Sequence, residues 1–252
     1  MELFDLTGKV AIITGSTRGI GRAIAERMAE HGAKVAVSSR KADACEQVAA
    51  AINAAHPGAA IAAPANLSSK SDLQSLVDKT REAFGKIDIV VCNAASNPYF
   101  GPMSGISDEA FRKVLDNNII ANHWLIQMVA PEMAARRDGA VIIVSSIGGL
   151  RGSTDIGVYN ISKAADFQLA RNLARELGAD NIRVNCIAPG LVKTDFARAL
   201  WDSPTGEKRV GETPLRRHGE PDDIAGAAVF LAAPASAWMT GQSIVIDGGV
   251  MI

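Results

Sequence analysis

Short, uninterrupted apolar runs alternate with longer stretches of helical periodicity along the whole chain. Val10-Ala11-Ile12-Ile13 is apolar at every position rather than at every second one, as expected of a parallel strand covered on both faces. Similar runs lie at 35–37, 87–92, 140–144, 182–187 and 243–246, with a weaker one at 59–63. Between them, Ile20, Ile24 and Met28 recur every four residues, the apolar stripe of a helix. Ser69 followed by Asp72 reads as a capping box opening a helix toward Phe84. Ser107 before Asp108 and Glu109, and Pro221 before Asp222 and Asp223, mark two more helix starts. Seven strands returning through helices predict an α/β fold, a doubly wound parallel sheet in one domain over 1–252. The segment 201–219 has little periodicity, and a connection that long is expected to be a lid or disordered.

Composition narrows the classes without choosing among them. The 252 residues are 48% hydrophobic and 21% charged, with a formal net charge of -1. That balance gives no electrostatic reason to expect nucleic acid or an anionic membrane as a partner. No apolar run approaches the roughly 18 residues of a bilayer span. The acidic start Met1-Glu2-Leu3-Phe4-Asp5 lacks the order of a secretory signal, so a cytoplasmic protein is expected. Cys45, Cys92 and Cys186 are odd in number and far apart, and read as buried thiols rather than disulfides. The four histidines lack metal-ligand spacing, so no metal is expected. The pairs Arg136-Arg137 and Arg216-Arg217 read as solvated surface.

Chemistry enters directly after the first strand, at Thr14-Gly15-Ser16-Thr17-Arg18-Gly19-Ile20-Gly21. Gly15 permits a tight turn, Gly19 a close approach of phosphates to the backbone, and Gly21 tight helix–strand packing. The helix that follows presents unpaired N–H groups and a partial positive charge to a pyrophosphate. In this context the sheet is expected to be a single Rossmann-type doubly wound domain, seven-stranded and flanked by helices.

The spacing T-G-x-x-x-G-x-G resembles that of the short-chain dehydrogenase/reductase family, and the resemblance continues along nearly the whole chain. Cys92-Asn93-Ala94-Ala95 resembles the family's N-N-A-G, with Ala95 in place of the glycine. Asn118 falls where the family carries a catalytic asparagine, and Ser146, Tyr159 and Lys163 match its serine and Y-x-x-x-K. Pro189-Gly190 with Thr194 resembles the P-G-x-x-x-T that meets the nicotinamide, and Asp247-Gly248-Gly249 the closing turn. The resemblance implies cofactor contacts from Gly15, Thr17, Arg18, Gly19, Ile20 and Gly21. It implies more from Ser39, Arg40, Asn66, Leu67, Asn93, Ala94, Tyr159, Lys163, Pro189, Gly190, Val192 and Thr194. Asn66 stands where an acidic residue commonly meets adenine, and its amide oxygen can still accept from the adenine amino group.

The end of the second strand separates NAD from NADP. An acid there would bind the ribose 2′-hydroxyl and repel a 2′-phosphate. Ser39 stands at that place, Arg40 follows it, and Arg18 lies in the glycine turn, so NADP(H) is the expected cofactor.

Tyr159 and Lys163, four apart, share one helix face. An ammonium nearby favours the phenolate and should lower the tyrosine's pKa from about 10, toward the range useful for acid–base catalysis. The resemblance assigns Lys163 also to the nicotinamide ribose and Asn118 to a water linking Lys163 with solvent. Ser146 would hydrogen-bond the substrate oxygen; Ser145 is its rival, and the interval to Tyr159 favours Ser146. The expected reaction is reversible hydride transfer between the nicotinamide and a carbonyl or secondary alcohol.

For the substrate, Phe196, Leu200 and Trp201 could edge a pocket, as could Asn97-Pro98-Tyr99-Phe100; they could equally pack loops onto the domain. The segments 93–101 and 188–194 resemble the carbonyl/retinal reductase branch, which reduces apolar or aromatic carbonyls with NADPH. An alternative is a 3-oxoacyl-carrier-protein reductase, which needs basic residues at its entrance; Arg137 could serve, but another position resembling the basic site is Asp180. A non-catalytic NADPH-binding sensor on the same fold is the alternative of another class. The resemblance further implies a homotetramer, built on helices whose outward positions include Ala121, Leu125, Ala164, Ala165 and Leu169.

Overall fold

The apolar runs form strands that all pair in parallel. In the computed structural model, which describes residues 3–252, these are β1 (Val10–Thr14), β2 (Lys34–Ser38), β3 (Ala60–Ala62), β4 (Ile89–Cys92), β5 (Gly139–Val144), β6 (Ile182–Pro189) and β7 (Ser243–Ile246). They lie in one sheet in the order β3-β2-β1-β4-β5-β6-β7. Met1 and Glu2 of the acidic start lie outside the described residues, as do the side chains of Pro204 and Thr205. The helices are α1 (Gly19–Glu30), α2 (Ala42–Ala55), α3 (Lys70–Phe84), α4 (Asp108–Leu115), α5 (Ala121–Arg136), α6 (Gly157–Leu177), α7 (Arg198–Trp201), α8 (Pro204–Glu212) and α9 (Pro221–Ala232). None of the described helices is long and apolar enough to cross a membrane.

Each central strand divides its side chains between two cores, which is why its apolar run is unbroken. Ala11 and Ile13 of β1 pack with Ile24 and Met28 of α1 and Ile224 of α9. Ile12, between them, packs with Leu73 and Leu76 of α3, Leu125 of α5 and Phe167 of α6. Each fully buried aliphatic side chain contributes roughly 1.5–3 kcal/mol through burial. Helix starts follow the sequence signals. Ser69 Oγ accepts from the Asp72 N–H at 3.2 Å and Ser107 Oγ from the Ala110 N–H at 3.2 Å. At α9 the Asp223 carboxylate accepts from the Glu220 N–H at 2.7 Å.

Three expectations are corrected. Strand β4 begins at Ile89 rather than residue 87, because the buried Asp88 carboxylate is spent on the Val10 N–H at 2.9 Å. Arg136 is exposed, as expected, and donates to Glu132 (3.1 Å) and to the carbonyl of Ile87 (2.5 Å). Ala121 and Leu125 point into the core, not outward, since α5 turns that face toward β4 and β5. The segment 201–219 carries helix α8, which Ser203 opens by accepting from the Gly206 N–H at 3.1 Å.

Candidate active site

The strand order reverses direction between β1 and β4, so a crevice opens where their carboxyl ends part, the usual ligand position in such sheets. The glycine turn occupies it. Gly15 and Gly19 have φ of 67° and 53°, left-handed conformations that disfavour a side chain. A Cβ on Gly21 would fall 2.4 Å from both Asn93 Nδ2 and the Gly15 carbonyl oxygen. Asn93 makes that contact because its amide clamps the turn, donating to the carbonyls of Thr14 at 2.8 Å and Gly15 at 3.3 Å. Thr14 returns the favour through its hydroxyl, which accepts from the Asn93 and Ala94 N–H groups at 3.0 and 3.1 Å. Ser16 stitches the turn to β2, its Oγ accepting from the Ser38 N–H at 2.9 Å and donating to the Ile13 carbonyl at 2.7 Å. Sequence reasoning did not single out Thr14 or Ser16. A hydroxyl beside a glycine motif reads as ordinary turn composition.

Thr17 and Ile20 are half-buried in the turn, while Arg18 caps α1 with an exposed guanidinium. That guanidinium lies 3.7 Å from Asp195, which also holds Arg198 at 2.6 Å. Ser39 is half-buried and Arg40 exposed just past β2. The Asn66 side-chain oxygen accepts from the Ser68 N–H at 3.2 Å, its backbone N–H donates to Asp72 at 3.1 Å, and Leu67 beside it is half-buried.

Across the crevice, Pro189 ends β6, and Gly190 donates to the Ile246 carbonyl at 2.8 Å. Asp247 crosses so close that a Cβ on Gly190 would meet its Cα at 2.7 Å. Val192 is buried and bridges to Gly219. Thr194 approaches the glycine turn, its Cγ2 3.0 Å from where a Gly19 Cβ would stand, and its carbonyl accepts from the Trp201 indole at 2.9 Å.

The remaining candidates converge from three elements. Asn118 sits, fully buried, in a π-helical turn (Asp116–Ile120) between α4 and α5, a distortion frequent at functional sites. Its Oδ1 accepts from the Ser96 N–H at 2.8 Å, while its Nδ2 donates to the Ser96 carbonyl (3.1 Å) and Ser162 Oγ (3.0 Å). Its backbone carbonyl accepts from Asn122 Nδ2 at 2.6 Å. Ser146, half-buried past β5, accepts through Oγ from the Gly148 N–H at 3.0 Å. Ser145 is buried and donates instead to the Lys163 carbonyl at 2.8 Å, behind α6.

Tyr159 and Lys163 share a face of α6, with the ammonium 5.6 Å from the phenol ring centroid. Phe196 covers the other side of that ring, centroids 6.0 Å apart. Lys163 Nζ is buried and donates to the Val144 carbonyl at 2.9 Å and to Asp166 at 3.0 Å. Asp166, which sequence reasoning missed, is fully buried and also lies 3.5 Å from Asn122 Nδ2. Nothing in a polar residue three positions after a lysine on a helix distinguishes it from a surface pair.

This arrangement reverses the expected phenol shift. Burial pushes the Tyr159 phenol above its ordinary value; Lys163 pulls it down, and Asp166 pushes it up again. Burial opposes the charge of Lys163, but the Asp166 carboxylate, the Tyr159 phenol and the hydrogen bond to Asp166 together outweigh it and hold the group up as an ammonium. Burial also pushes the Cys92 and Cys186 thiols up, which keeps both neutral.

Comparison with known proteins places this geometry. A family model described as enoyl-(acyl carrier protein) reductase matches residues 15–251. Dehydrogenase/reductase SDR family member 4 from Oryctolagus cuniculus is 42% identical over 246 residues, covering 97% of this chain and 94% of that protein. The Homo sapiens protein of the same name is also 42% identical over 246 residues, covering 97% and 88%. Among solved structures, a 7α-hydroxysteroid dehydrogenase complexed with NADH and 7-oxo glycochenodeoxycholic acid is 38% identical, with a TM-score of 0.93 and coverage of 98% and 96%. A hydroxysteroid dehydrogenase from Escherichia coli is 39% identical, with a TM-score of 0.87 and coverage of 98% of both chains. The chain belongs to the short-chain dehydrogenase/reductase family of oxidoreductases.

Proposed function

We propose that the chain is an NADPH-dependent reductase of apolar aldehydes and ketones, with the corresponding alcohol oxidation as its reverse. The observation that carries this reading is Tyr159 and Lys163 on one face of α6, with Ser146 alongside, next to a glycine turn at the switch point of the sheet. A dinucleotide fits this chain: left-handed Gly15 and Gly19 expose backbone N–H groups at the start of α1, where a pyrophosphate is favoured. Bound there in reduced form, the nicotinamide supplies a hydride. Tyr159 gives its phenolic proton to the carbonyl oxygen, and Ser146 hydrogen-bonds that oxygen as negative charge develops. Lys163 holds a fixed positive charge beside the phenolate that results, until solvent returns the proton.

NADP is preferred because Ser39 replaces the repelling acid and two guanidinium groups stand near the ribose end. Arg40 is exposed. Arg18 is tied only through an exposed 3.7 Å pair, which contributes little and leaves it free to turn toward a phosphate. Each such contact contributes about 1.5–3 kcal/mol. The exposed rings of Phe196 and Phe100 give the crevice an apolar rim, and the 7α-hydroxysteroid dehydrogenase, a relative in structure, holds a bulky ketone. The matching family model carries an acyl-carrier-protein description, but against an acyl carrier the position expected to be basic is an acid, Asp180, 3.9 Å from Arg137. Exposed Ile120 and Ile161 near the α5–α6 face, with Trp238, Val245 and Ile252 along and beyond the edge strand β7, support assembly into a homotetramer.

The test measures kcat/KM with NADPH and NADH, using a panel of aromatic and alicyclic ketones, in wild type and Arg40→Ala. The variant should lose efficiency with NADPH by about 10-fold or more and keep it with NADH. A wild-type preference for NADH would overturn the cofactor assignment, and no turnover of any carbonyl would overturn the reaction.

A further inference from the structure

Helix α6 turns an apolar stripe, Phe167, Ala170, Leu173 and Ala174, onto the sheet. Asp166 sits at the head of that stripe with no exposed surface. An aliphatic residue would fill the position without the cost of desolvating a charge, and buried ion pairs are in general no more stable than such a replacement. Stability therefore does not account for the carboxylate. What it touches is specific: Lys163 Nζ at 3.0 Å, with Asn122 Nδ2 at 3.5 Å from α5. Ser145, at the end of β5, spends its hydroxyl proton on the Lys163 carbonyl at 2.8 Å. An ammonium has three N–H donors. Two are directed at the Val144 carbonyl and Asp166, away from the crevice, and one remains for the side where the phenol lies.

We propose that Asp166 is a positioning residue for proton transfer: it anchors the Lys163 ammonium against the end of β5 and offsets its charge at Tyr159, biasing the site toward giving a proton to a carbonyl rather than taking one from an alcohol. This rests on the reading of Tyr159 and Lys163 as the proton-transfer pair. The other titratable groups facing Asp166 are the thiols of Cys186 on β6, whose Sγ lies 3.5 Å from the Asp166 carbonyl, and Cys92 on β4. Both are kept neutral by burial, so the field at the phenol is set by one ammonium and one carboxylate. Asn122, whose amide lies 3.5 Å from the carboxylate, carries no charge.

The chain has two tyrosines, Tyr99 and Tyr159. In a Tyr99→Phe background, ultraviolet absorbance of tyrosinate therefore titrates Tyr159 alone, whatever the activity. The midpoint should stand at or above the roughly 10 of free tyrosine. Asp166→Asn keeps an oxygen facing Lys163 but removes the charge, and should lower the midpoint by about one pH unit. Asp166→Glu should leave it near the unsubstituted value. With Tyr99 restored, the rising limb of kcat/KM for alcohol oxidation should move to lower pH by the same amount in Asp166→Asn. An unshifted midpoint in Asp166→Asn, the result expected if Asp166 is already protonated, overturns the proposal. So does a midpoint well below 10 in the Tyr99→Phe protein, a measurement that holds even where Asp166→Asn fails to fold. Normal turnover by Tyr159→Phe would instead refute the proton-donor reading, and the titration would still report whether Asp166 and Tyr159 are coupled.

Discussion

Replacing Lys163 with methionine keeps most of the volume of the side chain and removes its charge. In the folded protein that strands the Asp166 carboxylate, beside which stands the Asn122 amide at 3.5 Å. Both members of the pair are essentially without exposed surface, 2% for Lys163 and 0% for Asp166, so solvent cannot compensate. Breaking one partner out of such a pair costs about 3–5 kcal/mol. At roughly 2–4 °C per kcal/mol for a protein of this size, Tm at neutral pH should fall by on the order of 10 °C. The deficit should depend on pH in a defined sense. Burial already pushes Asp166 up from its ordinary value, and removing Lys163 takes away the main opposing influence. A carboxyl whose folded pKa is raised binds its proton more tightly in the folded state. Its penalty is therefore absent below the unfolded value of about 4, grows as pH rises from there, and is complete above the folded value. The Tm gap between wild type and Lys163→Met should thus narrow toward acid and widen toward alkali. The double variant Lys163→Met with Asp166→Leu should recover most of the lost stability without recovering turnover. Calorimetry of wild type, Lys163→Met, Asp166→Leu and the double variant from acid to alkaline pH closes the cycle. A single variant as stable as wild type, or a double variant no better than the single, would refute the buried pair as the source of the effect.

Tyr159→Phe removes one hydroxyl while the ring keeps its packing on Phe196, so carbonyl reduction should fall by about 10²–10⁴-fold, roughly 3–5 kcal/mol of barrier, with NADPH affinity by fluorescence titration nearly unchanged. Asp223, pulled down to about 2 by Arg217 and the Glu220 N–H, contributes stability that is complete above about pH 4 and lost as pH falls toward 2. Asp223→Asn should flatten that part of the acid limb in a thermal melt, and an unchanged limb would show the pair to be without consequence. Light scattering at micromolar concentration should give four times the 26.4 kDa chain mass, and a monomer would refute the assembly.

The central strands were legible because each is buried on both faces, so the apolar run is unbroken and only its ends are ambiguous. At β4 the ambiguity was real: Ile87 is as apolar as Ile89, and only Asp88, turned inward to cap β1, shows where pairing begins. The glycine turn and the Tyr159–Lys163 pair were legible because their requirements are local, a left-handed φ in one case and one helical turn in the other. What depended on a distant partner was not. Nothing local announces that the exposed Arg136 pairs with Asp88, and Ala121 and Leu125 read as outward until α5 is docked. Helix α8 was obscured for the opposite reason, since its sequence Pro-Thr-Gly-Glu-Lys-Arg-Val-Gly-Glu offers no apolar stripe to recognise.

The same distinction bears on how the site keeps its shape. Four polar side chains around the crevice, Thr14, Ser16, Asn93 and Asn118, spend most of their hydrogen bonds on backbone groups at the carboxyl ends of β1 and β4 and in the loops that follow them. Those ends are where a parallel sheet runs out of ladder partners, and a buried backbone group left unpaired there would be costly. Side-chain clamps satisfy them and fix the strand ends at a set separation, which is the width of the crevice. Asn118 shows the consequence most clearly. Both donors and the acceptor of its amide are committed to Ser96 and Ser162, and Ser162 in turn donates to the Tyr159 carbonyl at 2.7 Å. No donor of that side chain is left over for a substrate or a water. Under the proposed mechanism its part in proton transfer would run through the backbone: through the second lone pair of its own carbonyl in the π-helical turn, and through the hold that Ser162 has on the first turn of α6 beneath the phenol.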